Sequence, residues 1–73
     1  MDNLSKIETA RALNIRYNNI EKRHIDFEGE VRENEDIFNI CEEEGINPDL
    51  IMMERKAFEH IAERGHLHRF FTK

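Results

Sequence analysis

Residues 42–53 read EEEGINPDLIMM. Three glutamates run into Gly45, the chain restarts at Asn47-Pro48, and four large apolar side chains follow from Leu50 to Met53. Each feature has a local physical meaning. Glycine after a polar helical run takes the left-handed backbone that closes a helix. Asn47 supplies a side-chain oxygen for the next helix's free N–H groups, and Pro48 fits the first helical position, where a missing N–H costs nothing. The stretch therefore predicts a helix ending at residue 44, a turn, and a second helix from residue 48. Two architectures share that pattern, the DNA-reading helix-turn-helix and the plain helical hairpin.

Upstream, the apolar positions Ala10, Leu13, Tyr17, Ile20, Phe27 and Val31 step by alternating threes and fours, with His24 filling one place. The same step continues through Asn34 to Phe38 and Cys41. That spacing is the seam of a long helix or of a coiled-coil-like hairpin arm. A strand reading competes locally, because Leu13, Ile15 and Tyr17 alternate and so do Ile25 and Phe27, but the helical register is longer. Ser5 and Glu8 have capping-box spacing and predict a start near Lys6. Gly29 costs a helix about 1 kcal/mol relative to alanine. Asn34 before Glu35 and Asp36 has the chemistry of a fresh N-cap. A break or kink over 29–34 is the expected result.

Downstream of Pro48, Leu50, Met53, Ala57 and Ile61 share one helical face, and Ile51, Phe58 and Ala62 widen it. Met52 falls outside that stripe and is expected on the surface. Glu54 falls inside it. Glu54 and His24 are thus polar intrusions, expected to pair with a partner group or to set register in a bundle. Gly65 is expected to stop the helix at Arg64. The expected fold is all-α: a small helical hairpin with a long, kinked N-terminal helical arm. One small domain spans 1–73, with helices at about 6–28, 35–44 and 48–64 and a tail over 65–73.

The chain has 73 residues, 38% apolar and 37% charged. A chain this short and this charged builds a thin core and leans on a partner or on self-association. The apolar seam is therefore expected to be covered by an obligate partner or by a second copy in a homo-oligomer, with a dimer the simplest. Cys41 is the single cysteine, so no internal disulfide can form. No N-terminal apolar block has the form of a signal peptide, and no run reaches membrane-spanning length. The expectation is a soluble, cytoplasmic protein with no membrane contact.

Net charge is −5 and unevenly placed. Residues 26–44 hold nine acids against Arg32 alone, between ends that carry slightly more bases than acids. Such a block repels phosphates and attracts basic surfaces, so direct nucleic-acid binding is disfavoured. The turn at 41–47 has helix-turn-helix spacing, but a recognition helix reads bases with Arg, Lys, Asn or Gln. Here the exposed candidates are Asn47, Asp49 and Met52, behind three glutamates.

No reaction is spelled out. His60, His66 and His68 lie near Glu59 and Glu63, yet their spacing matches no established zinc pattern. Whether His60, Glu63, His66 and His68 hold a metal stays open at this level. No cofactor and no catalytic residue is assigned, and Cys41 on the seam is expected to be quiet because burial raises a thiol's pKa. The tail RGHLHRFFTK carries Leu67, Phe70 and Phe71 in the spacing L-x-x-F-F. Such plugs either fill pockets on partner proteins or fold back to finish a core.

The stretch Glu35 to Ile51, EDIFNICEEEGINPDLI, resembles the central part of the late-transcription coactivators of T4-type bacteriophages, which are small, acidic and helical. The resemblance implies a non-enzymatic adaptor whose body binds RNA polymerase and whose apolar tail binds a sliding clamp. It would place Phe38, Ile40, Ile46, Leu50 and Ile51 in the polymerase-binding unit, and Leu67, Phe70 and Phe71 in the clamp-binding tail. The tail departs from clamp-binding peptides in one place: Arg64 stands where they carry glutamine. With Met52, these residues are the candidate partner-binding set. The alternatives are a small helix-turn-helix DNA-binding regulator and an inhibitor that binds a host protein through its acidic face.

Overall fold

A computed structural model of the chain describes residues 3–22 and 27–71. Four α-helices and one 3₁₀ turn follow one another: α1 (Asn3–Lys22), α2 (Phe27–Glu44), α3 (Pro48–Met52), α4 (Arg55–Glu63) and the turn Leu67–Phe70. Among the described residues there is no strand, and Leu13, Ile15 and Tyr17 all lie within α1. The fold is all-α, as the periodicity predicts.

Helix α1 is the hub, and α2, α3 and α4 all pack against it. Ala10, Leu13 and Ile20 are buried, and Ile7 and Tyr17 pack at the edge of the core. The predicted α1 seam is therefore the inner face. Helix α2 contributes Ile37 and Cys41, α3 contributes Leu50 and Ile51, and α4 contributes Phe58, the largest fully buried side chain. Two ion pairs tie the outside of the hub to its neighbours, Arg11 to Glu59 on α4 at 3.3 Å and Arg16 to Glu33 on α2. All four side chains are well exposed, so each pair contributes at most about 1 kcal/mol.

The helix ends follow the chemistry of the opening stretch. Gly45 has φ +71°, the N–H of Ile46 donates to the carbonyl of Cys41 at 2.8 Å, and the N–H of Gly45 donates to Glu42 at 3.3 Å. That pair of bonds is a Schellman cap, and its apolar contact joins Ile46 to Cys41 in the core. Gly65, with φ +72°, repeats the arrangement on α4 through His66 to Ile61 at 3.1 Å and Gly65 to Ala62 at 3.0 Å. Asn47 caps α3 by accepting the N–H of Asp49 at 2.9 Å, with Pro48 in the first helical position.

Four boundaries differ from expectation. Helix α1 begins by Asn3, so Ser5 and Glu8 lie inside it rather than forming its capping box. Helix α2 runs unbroken from Phe27 to Glu44, so no helix boundary falls at 29–34. Gly29 and Asn34 are internal. Once a helix is nucleated, each added residue gains a hydrogen bond, and one glycine does not outweigh that together with packing on α1. The Arg16–Glu33 pair sits within the very segment where the break was expected. Helix α1 is described as far as Lys22 and α2 from Phe27. His24 and Ile25, both given roles above, lie outside the described residues.

The single helix expected over 48–64 is two helices, broken at Met53 and Glu54, which have extended backbone (ψ 159° and 143°). Glu54 is therefore not an intrusion in an apolar stripe. It is exposed at the first position before α4, and its carbonyl accepts from Phe58. The break also shifts the register, so that Phe58 is buried and Ala57 is exposed.

Among these caps, Gly65 offers the cleanest measurement. Nothing lies within 4 Å of where a Cβ would stand, so a substitution there meets only backbone strain. Gly65→Ala should cost about 1 kcal/mol, lowering Tm by about 4–8 °C, with Gly65→Asn costing less. Thermal melts followed by circular dichroism measure this. Equal stability of the alanine variant would refute the left-handed cap.

Candidate functional site

The break at Met53–Glu54 exists because α1 caps it from outside. Asn14 is 1% exposed, and its amide nitrogen lies 3.0 Å from the carbonyl of Ile51, 3.0 Å from that of Met53 and 3.4 Å from that of Leu50. These carbonyls end α3 and have no partner within a helix that stops there. One turn further along α1, the side-chain oxygen of Asn18 accepts the N–H of Arg55 at 3.1 Å, capping the start of α4. The Asn18 nitrogen donates to the Asn14 carbonyl at 2.8 Å and approaches Met53 at 3.4 Å. The Asn14 orientation follows from its surroundings, since a flipped amide would set oxygen against three carbonyl oxygens. Its own side-chain oxygen is buried with no partner among the described residues. Sequence reasoning missed this pair. The available signal was two asparagines spaced i, i+4, the first of them beside Leu13 on the inner face.

The candidate partner-binding residues divide into three groups. Ile46, Leu50, Ile51 and Leu67 are core residues, at most 3% exposed. Phe70 and Phe71 are half-buried and pack against that core. The tail folds back: the N–H of Asn47 donates to the Phe70 carbonyl at 2.7 Å, and Phe71 forms an isolated antiparallel bridge with Ile46. Phe38 and Met52 face outward, 39% and 42% exposed, and Val31 joins them at 37%. For Met52 this is the expected position. Phe38 and Val31 were expected on one apolar seam with Cys41, and Phe38 among the partner-binding residues; of the three, Cys41 alone is buried. The phase of α1 does not carry across the change of helix, and Ile37 and Cys41 take the inner places on α2.

Phe38 borders an open groove of about 530 Å³ at the C-terminal end of α2. Glu42, Gly45, Asn47 and Pro48 line it, with the buried Cys41 and Ile46 at its base. A smaller cleft of about 150 Å³ lies where the tail meets α1, between Ile7, Arg11, Leu67 and Phe71. Helix α3, which a helix-turn-helix would use for reading bases, is five residues long with Asp49 in its first turn.

The polar clusters remain dispersed. His60 and Glu63 share a surface with Arg55, Lys56 and Glu59. His68 Nδ1 lies 3.1 Å from the carbonyl of Gly65. Among the described residues, no three His, Cys, Asp or Glu side chains converge as a metal ion requires. Cys41 is buried, and desolvation pushes its thiol above the ordinary value of 9.0. Among the described residues no helix is long and apolar enough to cross a membrane. Compared with family models, curated proteins and solved structures, the chain matches none of them.

Two measurements follow. Urea denaturation should rank three variants. Asn14→Asp puts a carboxylate against the carbonyls and should cost about 3 kcal/mol or more. Asn14→Leu leaves the carbonyls unpartnered and should cost about 1–3 kcal/mol, and Asn18→Ala about 1 kcal/mol. The reverse order would remove the capping role of α1. For Cys41, a raised folded pKa means stability fully present below the unfolded thiol's value and lost as pH rises through the folded value. The stability of the intact chain relative to Cys41→Ala should therefore fall above about pH 9. A flat difference across that range would mean the thiol is accessible.

Proposed function

We propose that this chain is a non-enzymatic, acidic helical adaptor that docks on a larger protein machine. The observation that carries the reading is on α2: after the chain has filled its own core, Phe38 and Val31 remain exposed on its most acidic helix. Val31 and Phe38 lie seven residues apart on one helix, with Phe38 beside an open groove, and contiguous apolar surface of this kind is what a partner polypeptide covers. The charge supports the same reading, because an acidic face attracts basic protein surfaces and repels phosphates. The chain's one thiol is sealed in the core, which supports a binding role over a nucleophilic one.

The resemblance of residues 35–51 to phage late-transcription coactivators makes RNA polymerase the first machine to test. A clamp-binding role for the tail requires Phe70 and Phe71 to leave the body, since both now pack on it. The helix-turn-helix alternative draws less support, because the helix after the turn is a single acidic turn. An inhibitor working through the acidic face would be an adaptor in the same physical sense, differing in what its binding does to the partner.

The test has two arms. Immobilised chain is exposed to lysate of the source cell and, separately, to purified bacterial RNA polymerase. Labelled random duplex DNA is titrated at low and rising salt. The expected result is a retained protein partner and no duplex binding even at low salt. Duplex binding that weakens steeply with salt would establish the DNA reader instead, and absence of any retained protein would reject the adaptor.

A further inference from the structure

Val31 and Phe38 are seven residues apart on α2, nearly two full helical turns, so they lie on one face. Glu28, Glu35 and Glu42 repeat the same interval and are all exposed. At 100° per residue, this acidic row runs alongside the apolar one. The apolar row leads into the groove that Phe38 borders, which Glu42 also lines. The inner side of α2 is covered by α1 through Ile37 and Cys41. The outer side is thus a helix face with an apolar row and an acidic row at coiled-coil spacing.

A second copy is the simplest occupant to consider, and charge argues against it. Residues 27–44 hold eight acids against Arg32 alone, and Glu28, Glu35 and Glu42 on the outer row are all exposed. Pairing two such helices sets glutamate rows against each other, and like charges facing across a helix pair destabilise it. The complementary occupant has apolar side chains at the same interval with lysine or arginine beside them.

We propose that the outer face of α2 and its groove receive a basic amphipathic helix of another protein. Its apolar side chains seat on Val31 and Phe38, and its cations face Glu28, Glu35 and Glu42. This inference rests on the adaptor reading and specifies which surface does the docking and what chemistry it takes.

The probe is a fluorescent three-heptad peptide with leucine at a and d and lysine at e and g. Its control carries glutamate in place of lysine. Anisotropy titrations on the full chain at low salt should show the lysine peptide binding at least about tenfold tighter than the glutamate peptide, with the difference shrinking as salt rises. Phe38→Ala and the double variant Glu35→Lys, Glu42→Lys should each weaken binding about tenfold or more, with the helical fold retained in circular dichroism because all three side chains lie on the exposed side of α2. Asn19→Ala, at an exposed position on α1, should bind as the intact chain does. Equal binding of the two peptides, or binding indifferent to Phe38→Ala, overturns the proposal. So does a dimer in sedimentation that Phe38→Ala dissolves, since a second copy then owns the face. The same variants enter the lysate capture. A partner retained equally by Phe38→Ala overturns this surface and leaves the adaptor reading standing. Selective binding of the lysine peptide with no cellular protein retained rejects the adaptor and leaves the surface's chemistry intact.

Discussion

Asn14 sets one amide nitrogen 3.0 Å from two carbonyls that lie 37 and 39 positions further along the chain. With Asn18 one turn on, it closes the end of α3 and opens α4. Neither of those helices could stop and start at Met53–Glu54 on its own resources, because Glu54 offers no side-chain cap. The arrangement leaves one buried oxygen of Asn14 unpartnered among the described residues, at a cost of about 1–3 kcal/mol. Two or more satisfied carbonyls offset it. The direction of α4, the burial of Phe58 and the place where the tail returns all descend from that junction.

Helix α2 shows a different compromise. Glu42, Glu43 and Glu44 occupy its last turn, where the helix dipole disfavours each exposed acid by about 0.3–1 kcal/mol. The Schellman cap at Gly45, and Cys41 and Ile46 beneath it, hold the end together regardless. The helix therefore bears an acidic terminus that its own stability does not reward. Next to the exposed Phe38, that charge is better understood through what it faces outside the chain.

The parts of the fold that were legible in the sequence are those whose chemistry is local. Gly45, Asn47-Pro48 and Gly65 each act within a few residues, and each sits where its type predicts. The α1 seam was legible because one uninterrupted helix keeps one phase. The failures share a cause. No glycine or proline marks Met53–Glu54, since the signal for that break sits on α1. The register of α2 could not be carried from α1, so Phe38 and Val31 were placed on one seam with Cys41, which alone of the three is buried. At the candidate site, Met52 was legible as outward from its place off the stripe, whereas Ile46, Leu50, Ile51 and Leu67 looked like contact residues because apolar residues read alike whether they serve a core or a partner.

The reach of the Asn14 clamp also bears on how the chain gets to its structure. Helical domains usually assemble quickly because their contacts are near in sequence. Here the decisive hydrogen bonds close a loop longer than half the chain, and that loop's entropy must be spent before α3 and α4 have an anchor. Contacts of that separation raise the chain's contact order above that of a hairpin held by neighbouring helices, and folding slows as contact order rises.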